Sequence, residues 1–357
     1  MQLLENLYEK PPTATTYFGR KTQISAKNTL LLGPRRCGKT AIILDHLSQY
    51  DPAEYLYIDR ADARVTDSLI FEQISTFLST HPIRLLVVEN YDSSFKIPVV
   101  SEVILSSDDH TLKVEHFSTL HVRPLDFEEY IAFDKRHFNV SHLFNLFANH
   151  GRLPACAMME EFENRRYLQE SLRLILPDTL SFTIFQFYAV HQSHILSLHQ
   201  VYQGLKESVK ISKDKLYMVS EMLQKKGLLY LVPKLDFPKA AKKVYLGDFA
   251  FKNALTFDKD FMRRFENIVH GELVKLESPL YYTENIEFYF PKKKLAILCI
   301  PFLPPELIIR RFTRLLPQFQ SLHVKSVQVI TVGNEGFHEK EGITCEILPF
   351  WDWALQL

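Results

Sequence analysis

The chain has 357 residues, of which 46% are hydrophobic and 24% are charged. This length suggests two or three domains, and this composition excludes intrinsic disorder as a description of the whole chain. Lysine plus arginine and aspartate plus glutamate both number 42, so the sequence is not a polycation built as a whole for nucleic acid.

Strand and helix signals alternate between residues 28 and 150, which is the pattern typical of a parallel α/β sheet. The predicted strands are short apolar runs, and the predicted helices carry apolar residues at helical spacing. From residue 124 to about 180 the pattern becomes helical throughout. We predict strands at 28–32, 55–58, 85–88 and 100–105, with helices at 40–47 and 69–78.

A phosphate-binding loop is predicted between the first strand and the first helix. Its sequence, GPRRCGKT, fits G-x-x-x-x-G-K-[ST] in full, and the strand and the helix stand on the correct sides of it. Backbone N–H groups and the helix N-terminus would hold phosphate oxygens, while Lys39 reaches the β- and γ-phosphates and the Thr40 hydroxyl holds Mg²⁺. The predicted ATP-binding residues are Gly33, Pro34, Arg35, Arg36, Cys37, Gly38, Lys39 and Thr40.

A P-loop enzyme also needs acids at the end of a neighbouring strand, and the run 85–88 is followed by Glu89 and Asn90. In one register Glu89 takes the Mg²⁺ position, and Asn90, which cannot accept a proton near neutral pH, takes the position of the base. In the other register Glu89 is the base and Val88 stands at the metal position. One acidic function is missing in both, so we predict a degenerate Walker B site with weak or absent ATP hydrolysis. An acid from elsewhere, with Asp92 the nearest, would permit an active ATPase.

Two further groups near the predicted site each admit two interpretations. Arg35 and Arg36 are either solvated charges on the loop or residues that hold the loop and touch phosphate. Ser106 or Ser107, next to the fourth predicted strand, is either a polar sensor near the γ-phosphate or part of an ordinary turn. The sequence leaves both alternatives open.

These motifs resemble a family of bacterial and archaeal AAA-type ATPases that carry an extra C-terminal domain of uncharacterised function. The loop GPRRCGKT is close to the family's wording, and HVRPLDFEEY at 121–130 is similar to its segment of proline, leucine and Phe-x-Glu. NHGRLP at 149–154 is similar to its Gly-Gly-x-Pro segment, with Arg152 in place of the second glycine. The resemblance covers nearly the whole chain and implies an AAA-like P-loop NTPase fold, followed by a winged helix and a nuclease-like domain.

The segment 212–232 fits the winged helix that the resemblance implies. Leu216, Val219 and Leu223 fall on one face of a predicted helix. Gly227 suits the end of that helix, and the apolar run after it is typical of a wing strand. The sequence therefore favours a helix followed by a strand at this place.

A basic segment surrounds the predicted winged helix. Between residues 201 and 243 there are ten lysines, four acids and no arginine. This segment is either a solvated face or a DNA surface in 206–243 that contacts phosphates without reading sequence. The lysines are Lys206, Lys210, Lys213, Lys215, Lys225, Lys226, Lys234, Lys239, Lys242 and Lys243.

The last hundred residues resemble a restriction-endonuclease-like fold that lacks its active chemistry. The run FENIV matches a helical motif of that fold, and YTENIEF sits where the fold has a tyrosine strand that ends in an acid. Cys299 and Pro301 take the places where active nucleases show Glu-x-Lys. Only Glu266 and Glu287 remain of the groups that would hold a divalent metal, so we predict no nuclease activity.

The sequence thus predicts an AAA-like ATP-binding domain with a helical lid over 1–180, a winged-helix domain over 181–257 and a degenerate nuclease-like domain over 258–357. The predicted function is an ATP- and Mg²⁺-binding switch that acts on an unknown protein partner. The alternative is a DNA-associated regulator in which the P-loop domain is a scaffold. The sequence has no paired cysteine spacing, no signal-peptide core and no apolar run near the ~20 residues of a membrane span, so we expect a cytoplasmic protein without a membrane segment.

Overall fold

The structure is a computed structural model that describes residues 2–13, 19–135 and 137–357, with the side chains of 67–69 outside the description. The chain divides into two compact units. The first unit comprises Met1–Pro124 together with Lys225–Gly227, and the second comprises Leu125–Gln224 together with Leu228–Leu357. The predicted boundaries near residues 180 and 257 both fall within the second unit, and the division into three domains stays a prediction.

The first unit is built on five parallel strands. These strands are β1 (Asn28–Leu32), β2 (Tyr55–Asp59), β3 (Leu85–Glu89), β4 (Glu102–Ser107) and β5 (Ser118–His121), and the helices are α1 (Gln2–Glu9), α2 (Lys39–Leu47) and α3 (Asp67–Thr80). The strand order is β2-β3-β4-β1-β5, so the predicted parallel α/β sheet is confirmed. β4 begins two residues later than predicted, because pairing starts only where the Glu102 N–H donates to Arg84 O at 3.0 Å.

Both faces of this sheet are buried by apolar side chains. Successive residues of a strand point to opposite faces, so Leu30 packs in one core with Phe77 of α3 and Leu31 packs in the other with Ile43 of α2. Burial on both sides explains why β1 and β3 are continuous apolar runs. Because the strands are parallel, the loop after β1 and the carboxyl end of β3 lie at the same edge of the sheet.

The second unit begins with helices α4 (Phe127–Phe133), α5 (Val140–His150), α6 (Glu161–Ile175) and α7 (Thr179–Val190). A small antiparallel sheet and two helices follow: β6 (Ile195–Leu196), α8 (Leu198–Lys206), α9 (Lys213–Lys225), β7 (Leu229–Val232) and β8 (Lys242–Leu246). β8 lies between β6 and β7 and is antiparallel to both. The helix and the strand predicted within 212–232 are both present, as α9 and β7.

A mixed five-stranded sheet completes the second unit. Its elements are α10 (Ala250–Leu255), α11 (Phe261–Leu273), β9 (Phe288–Phe290), β10 (Leu295–Cys299), α12 (Pro305–Ser321), β11 (Ser326–Thr331), β12 (Gly336–Lys340), β13 (Ile343–Pro349) and α13 (Phe350–Gln356). The order is β12-β13-β11-β10-β9, with β10, β11 and β13 parallel and the two outer strands antiparallel. Among the described residues, no helix combines the length and the apolar character that crossing a membrane requires.

Aromatic rings form much of the core of the second unit. The ring centroid of Phe350 lies 5.3 Å from that of Phe127, 5.0 Å from that of Phe144 and 6.3 Å from that of Phe265. These residues come from α13, α4, α5 and α11. The helices that follow residue 125 therefore share one core with the C-terminal sheet and its helices.

The segment 149–154 turns at Gly151, whose φ angle is 89°. A Cβ at this position would lie 2.5 Å from Asp248 Oδ1, so only glycine fits. The other oxygen of Asp248 accepts hydrogen bonds from the backbone N–H groups of Arg152, at 2.7 Å, and Leu153, at 3.2 Å. This buried carboxylate therefore fixes the segment that carried part of the family resemblance.

Candidate functional site

The predicted phosphate loop connects β1 to α2 and is tightly packed at its first glycine. A Cβ at Gly33 would lie 2.1 Å from the carbonyl oxygen of Val122, so a larger residue does not fit. Arg36 and Gly38 have φ angles of 69° and 100°, which turn the chain sharply before α2 begins. The backbone thus follows the strongly curved path that a phosphate-binding loop needs.

Two buried residues, Cys37 and Arg20, hold the loop in place. Cys37 is fully buried, its thiol donates to Val122 O with an Sγ–O distance of 3.3 Å, and burial raises its pKa, so it is a packing group. The guanidinium of Arg20 donates to Cys37 O at 2.7 Å and to Arg123 O at 2.8 Å. Sequence reasoning missed Arg20, because its contacts join segments that are far apart in the chain.

The Lys39 ammonium lies inside the loop. Its Nζ donates to Gly33 O at 2.7 Å and to Pro34 O at 2.9 Å. These two carbonyl groups belong to the first residues of the motif, so the lysine spans the loop from its last turn to its first. The positive charge is therefore placed within the curve formed by the loop backbone.

Arg35 belongs to a group of ion pairs beside the loop. Its Nε lies 3.1 Å from Asp108 Oδ2, and the Lys226 ammonium lies 2.8 Å from the same oxygen. Burial would raise the pKa of the Asp108 carboxyl, but the two cations outweigh this effect and lower that pKa. Of the two interpretations of Arg35, its geometry matches the one in which it holds the loop. Lys226 is paired with a carboxylate, which argues against a role for it in contacting DNA phosphates.

Glu89 is the last residue of β3, and it is only 5% exposed. Thr40 Oγ1 lies 3.0 Å from Glu89 Oε1 and 2.9 Å from Oε2, and Ser106 Oγ donates to Oε1 at 3.1 Å. The hydroxyl of Tyr57 donates to Oε2. Within the described residues no ion pair to Glu89 forms, so three neutral hydroxyls surround this buried carboxylate.

Tyr57 is a site residue that sequence reasoning missed. It lies in the middle of the apolar strand β2, and burial together with the Glu89 carboxylate raises the pKa of its hydroxyl, which stays a donor. The signal in the sequence was a tyrosine inside a buried strand, since a buried tyrosine hydroxyl usually has a hydrogen-bond partner. Its partner became known only with the strand order, which places β2 beside β3.

The contact between Thr40 and Glu89 bears on the two registers of the predicted acidic site. Val88 is fully buried in an apolar core and has no route to a ligand. Glu89, in contrast, meets the hydroxyl that we predict to hold Mg²⁺. This geometry favours the register in which Glu89 takes the metal position and Asn90 takes the position of the base, and both roles stay predictions.

Asn90 follows β3 in the left-handed region, with a φ angle of 55°, which asparagine adopts more readily than most residues. Its Nδ2 donates to Asp59 Oδ1 at 2.7 Å. Asp59 ends β2 and was not considered in the sequence analysis. Asp92, the acid that the sequence offered, has a side chain that is 63% exposed and pairs with Arg60 at 3.1 Å. The acid that Asn90 contacts is therefore Asp59.

The two serines after the apolar part of β4 differ in their contacts. Ser106 donates to the Glu89 carboxylate, which gives it a polar role at the site. The hydroxyl of Ser107 accepts a hydrogen bond from the Asp109 N–H at 3.3 Å, as in an ordinary turn. Of the two predicted candidates, Ser106 is the one brought to the acidic group.

A second buried acidic group lies in the second unit, where the nuclease-like residues were predicted. The Lys243 ammonium lies 2.7 Å from Glu266 Oε1, and the Tyr245 hydroxyl donates to the same oxygen at 2.6 Å. Arg311 Nη2 lies 3.6 Å from Glu287 Oε1. Burial and the Glu266 carboxylate raise the pKa of Glu287. Each glutamate in this group thus has a cation of the chain beside it.

The thiol of Cys299 completes this second group. The backbone N–H of Cys299 donates to Glu287 Oε2 at 3.4 Å. Burial, reinforced by the carboxylates of Glu287 and Glu266, raises the pKa of the Cys299 thiol well above the usual value. The thiol is therefore held in its neutral form, which is a poor metal ligand. Across the described ranges, no three or more histidine, cysteine, aspartate or glutamate side chains are grouped so that they would bind a metal ion.

Lys243, a second lysine of the predicted basic surface, is also paired within the chain. Lys243 is 7% exposed and paired with Glu266, so it is not available to DNA phosphates. The alternation of side chains along β8 turns this lysine inward. The exposed lysines of the segment are Lys206, Lys210, Lys213, Lys215 and Lys239.

Comparison with known proteins found a relative that is described as uncharacterized, together with distant structural similarity. No family model matches the chain. The uncharacterized protein MJ1544 of Methanocaldococcus jannaschii is 23% identical over an alignment of 403 positions, which covers 93% of this chain and 89% of that protein. The Walker-type ATPase PABY2304 of Pyrococcus abyssi is similar with a TM-score of 0.44 and 15% identity, over 64% of this chain and 90% of that one.

Two other solved structures are similar at lower TM-scores. The Aeropyrum pernix ORC1 protein, solved in complex with DNA, has a TM-score of 0.33 and 15% identity, over 66% of this chain and 87% of that one. The signal transduction ATPase PH0952 of Pyrococcus horikoshii, which has a tetratricopeptide repeat sensor, has a TM-score of 0.33 and 12% identity, over 87% of this chain and 53% of that one.

Proposed function

We propose that the first unit binds ATP together with Mg²⁺ at the loop 33–40 and acts as a nucleotide-dependent switch. The observation that carries this proposal is the buried carboxylate of Glu89, which three neutral hydroxyls surround. Hydroxyls orient a carboxylate but do not balance its charge, and burial of an unbalanced charge is costly. A divalent cation that arrives with a triphosphate would supply the missing positive charge beside the loop.

Thr40 and Glu89 fit Mg²⁺ as ligands. Both present oxygen atoms, which this ion prefers, and Thr40 Oγ1 lies 2.9 Å from Glu89 Oε2. Mg²⁺ is usually held by one or two protein groups, with water and phosphate oxygens for the rest, so this small site is sufficient. When bound, the ion neutralises charge on the phosphates.

The loop would supply the phosphate contacts. Lys39 would exchange its bonds to the carbonyl groups of Gly33 and Pro34 for charge-assisted bonds to phosphate oxygens. The N-terminus of α2 adds partial positive charge at the same place. Together these groups explain why the motif has glycine at its tight positions and lysine at its end.

The residue at the position of the base supports slow turnover. The amide of Asn90 hydrogen-bonds but does not accept a proton near neutral pH. Slow hydrolysis leaves ATP bound for long periods, which suits a switch that a protein partner recognises.

We infer further that the second unit contains a winged helix and an inactive nuclease-like domain. The order β6-β8-β7 with helices α7, α8 and α9 supports the winged helix. The pairing of Glu266 with Lys243 and of Glu287 with Arg311 supports inactivity, because both acids have cations already. We therefore expect no cleavage of DNA that depends on a divalent metal.

Calorimetric titration with Mg²⁺-ATP tests the proposed site. Lys39→Ala removes charge-assisted hydrogen bonds worth ~1.5–3 kcal/mol each, so ATP affinity should fall at least about tenfold. Lys27→Ala is the matched control, because Lys27 is an exposed lysine just before β1. Equal affinities of the wild type and Lys39→Ala, or no binding by the wild type, would contradict the proposed site.

The exposed lysines favour a second candidate function, sequence-tolerant DNA binding by the winged helix. Lys206 is the last residue of α8, Lys210 lies in the connection after it, and Lys213 and Lys215 lie at the start of α9. If these four contact phosphates, the log–log dependence of affinity on salt should have a slope of about −3.6. Replacing all four by glutamine should flatten that slope, whereas the same change at Lys292, Lys293, Lys325 and Lys340 should not. Absence of a gel shift at low salt would reject this candidate.

A further inference from the structure

We propose that Asp59 is the general base that the predicted Walker B site lacks, with Asn90 holding the attacking water. The proposal rests on the proposed ATP site and names the residue that receives the proton there. It explains how the first unit hydrolyses ATP slowly although asparagine stands at the usual position of the base.

The sheet brings Asp59 to the edge where the phosphate loop lies. β2 pairs in parallel with β3, and Asp59 is the register partner of Glu89. Glu89 in turn meets Thr40, the last residue of the loop motif. In parallel α/β sheets, ligands bind outside the carboxyl ends of the strands, and both acids stand at that end.

The hydrogen bonds of Asp59 leave it oriented for proton transfer. Its Oδ1 accepts from Asn90 Nδ2 at 2.7 Å and from the Ala61 N–H at 2.9 Å. Both bonds are made to one oxygen of the carboxylate. The second oxygen, Oδ2, is the atom that would take the proton.

Asn90 is held so that its amide serves both the acid and the water. Because its Nδ2 donates to Asp59, its Oδ1 remains as the acceptor that would take a hydrogen bond from the attacking water. The main-chain carbonyl oxygen of Asn90 accepts a hydrogen bond from Arg60 Nη1 at 3.4 Å, and Arg60 is paired with Asp92. The Arg60–Asp92 pair therefore steadies the backbone of Asn90, and Asp92 is kept at the surface.

The proposed step is hydrolysis of ATP to ADP and phosphate. The oxygen of the water forms a bond to the γ-phosphorus while one of its protons passes to Asp59 Oδ2. The bond between the γ-phosphorus and the β–γ bridging oxygen breaks, and its electron pair leaves with ADP. Asp59 then releases the proton to solvent, which restores the carboxylate.

Steady-state turnover of Asp59→Asn measures the proposed role, and Asp51→Asn is the matched control, because Asp51 is exposed and precedes the amino end of β2. Positioned proton transfer is worth ~10²–10⁴ in rate, so kcat should fall at least about thirtyfold in Asp59→Asn. ATP affinity by calorimetry should change by less than about threefold, because the aspartate does not bind the phosphates. Asp51→Asn should keep kcat within about threefold of the wild type, because asparagine caps the turn at this position as aspartate does.

A swapped pair separates proton transfer from a structural role. Asp59→Asn combined with Asn90→Asp keeps one acid and one amide in contact, and aspartate also tolerates a positive φ at position 90. The double variant should recover at least about tenfold in kcat over Asp59→Asn.

Three results would overturn the proposal. They are an unchanged kcat in Asp59→Asn, an equal loss in the control Asp51→Asn, and a wild type that binds ATP but does not turn it over. A wild type that does not bind ATP would instead contradict the proposed function, so the two failures are distinguishable.

Discussion

Two buried glutamates, one in each unit, lie in different surroundings. Glu89 in the first unit is 5% exposed and is contacted by three neutral hydroxyls. Glu266 in the second unit is 7% exposed and has the Lys243 ammonium at 2.7 Å as well as the Tyr245 hydroxyl. The sequence predicts Glu89 as a group that holds Mg²⁺, whereas it leaves Glu266 as one of two acids that remain of an inactive nuclease-like site.

The difference lies in the source of the compensating charge. Glu266 is balanced within the chain, so it needs no ligand, and a metal ion would have to displace a lysine. Among the described residues, the contacts of the Glu89 carboxylate are with three hydroxyls, and in our proposal the cation comes from outside the chain. A buried acid without its own cation therefore indicates a binding site, whereas a paired acid indicates a structural one.

Removal of the internal cation should produce the largest effect on stability. Lys243→Ala leaves Glu266 buried without a counter-ion, which typically destabilises a protein by about 3–5 kcal/mol. Urea unfolding measures this change, with the exposed Lys239→Ala as the control. Glu266→Gln added to Lys243→Ala should recover part of the loss. If Lys243→Ala unfolds at the same urea concentration as the control, Glu266 is not balanced by this lysine.

Removal of the Tyr57 hydroxyl tests the surroundings of the other glutamate, Glu89. Tyr57→Phe deletes a hydrogen bond to the charged Glu89 and should lower the free energy of unfolding of the first unit by about 1.5–3 kcal/mol. Tyr55→Phe, in the same strand and also buried, is the control. Equal stability of the two variants would show that the Tyr57 hydroxyl does not support the carboxylate.

A smaller effect should appear as a pH dependence of the second unit. His270 stacks on Tyr245, with ring centroids 4.1 Å apart, and burial aided by the charge of Arg152 lowers its pKa from 6.5 to about 3. Between these two values the unfolded chain binds a proton that the folded unit does not, so stability falls as the pH falls below about 6.5.

The variant His270→Phe isolates this term, because the stacking surface is kept and the titrating group is lost. From pH 7 to pH 5 the wild type should lose about 1–2 kcal/mol more stability than the variant. Burial raises the pKa values of Asp248 and Glu272, but these groups titrate in both proteins and cancel. Parallel pH profiles of the two proteins would mean that His270 is not kept neutral by its surroundings.

The parallel sheet and the phosphate loop could be predicted because each is encoded locally. β1 and β3 are apolar runs of five residues or fewer followed by a turn or an acid, and the loop motif is contiguous. The partners of Glu89 could not be predicted in the same way. Tyr57 and Asp59 reach β3 only because β2 is its neighbour in the sheet, and strand order is not written in either segment.

The basic segment shows that residues which are neighbours in sequence can lie in different surroundings in the structure. Composition places Lys242 and Lys243 together as one positive patch, but the alternation along β8 sends the second side chain into the core. Its partner, Glu266, lies on α11 and is more than twenty residues away in sequence. Counting charges therefore overstated the number of lysines that reach the surface.

Titration of ATP with and without Mg²⁺ tests most directly whether Glu89 awaits an external cation. The proteins are the wild type, Glu89→Gln and the control Glu266→Gln, since glutamine keeps the shape of the side chain and removes its charge. We expect Mg²⁺ to tighten ATP binding at least about tenfold in the wild type and in Glu266→Gln, and to have little effect in Glu89→Gln. An equal gain from Mg²⁺ in all three proteins would contradict the account.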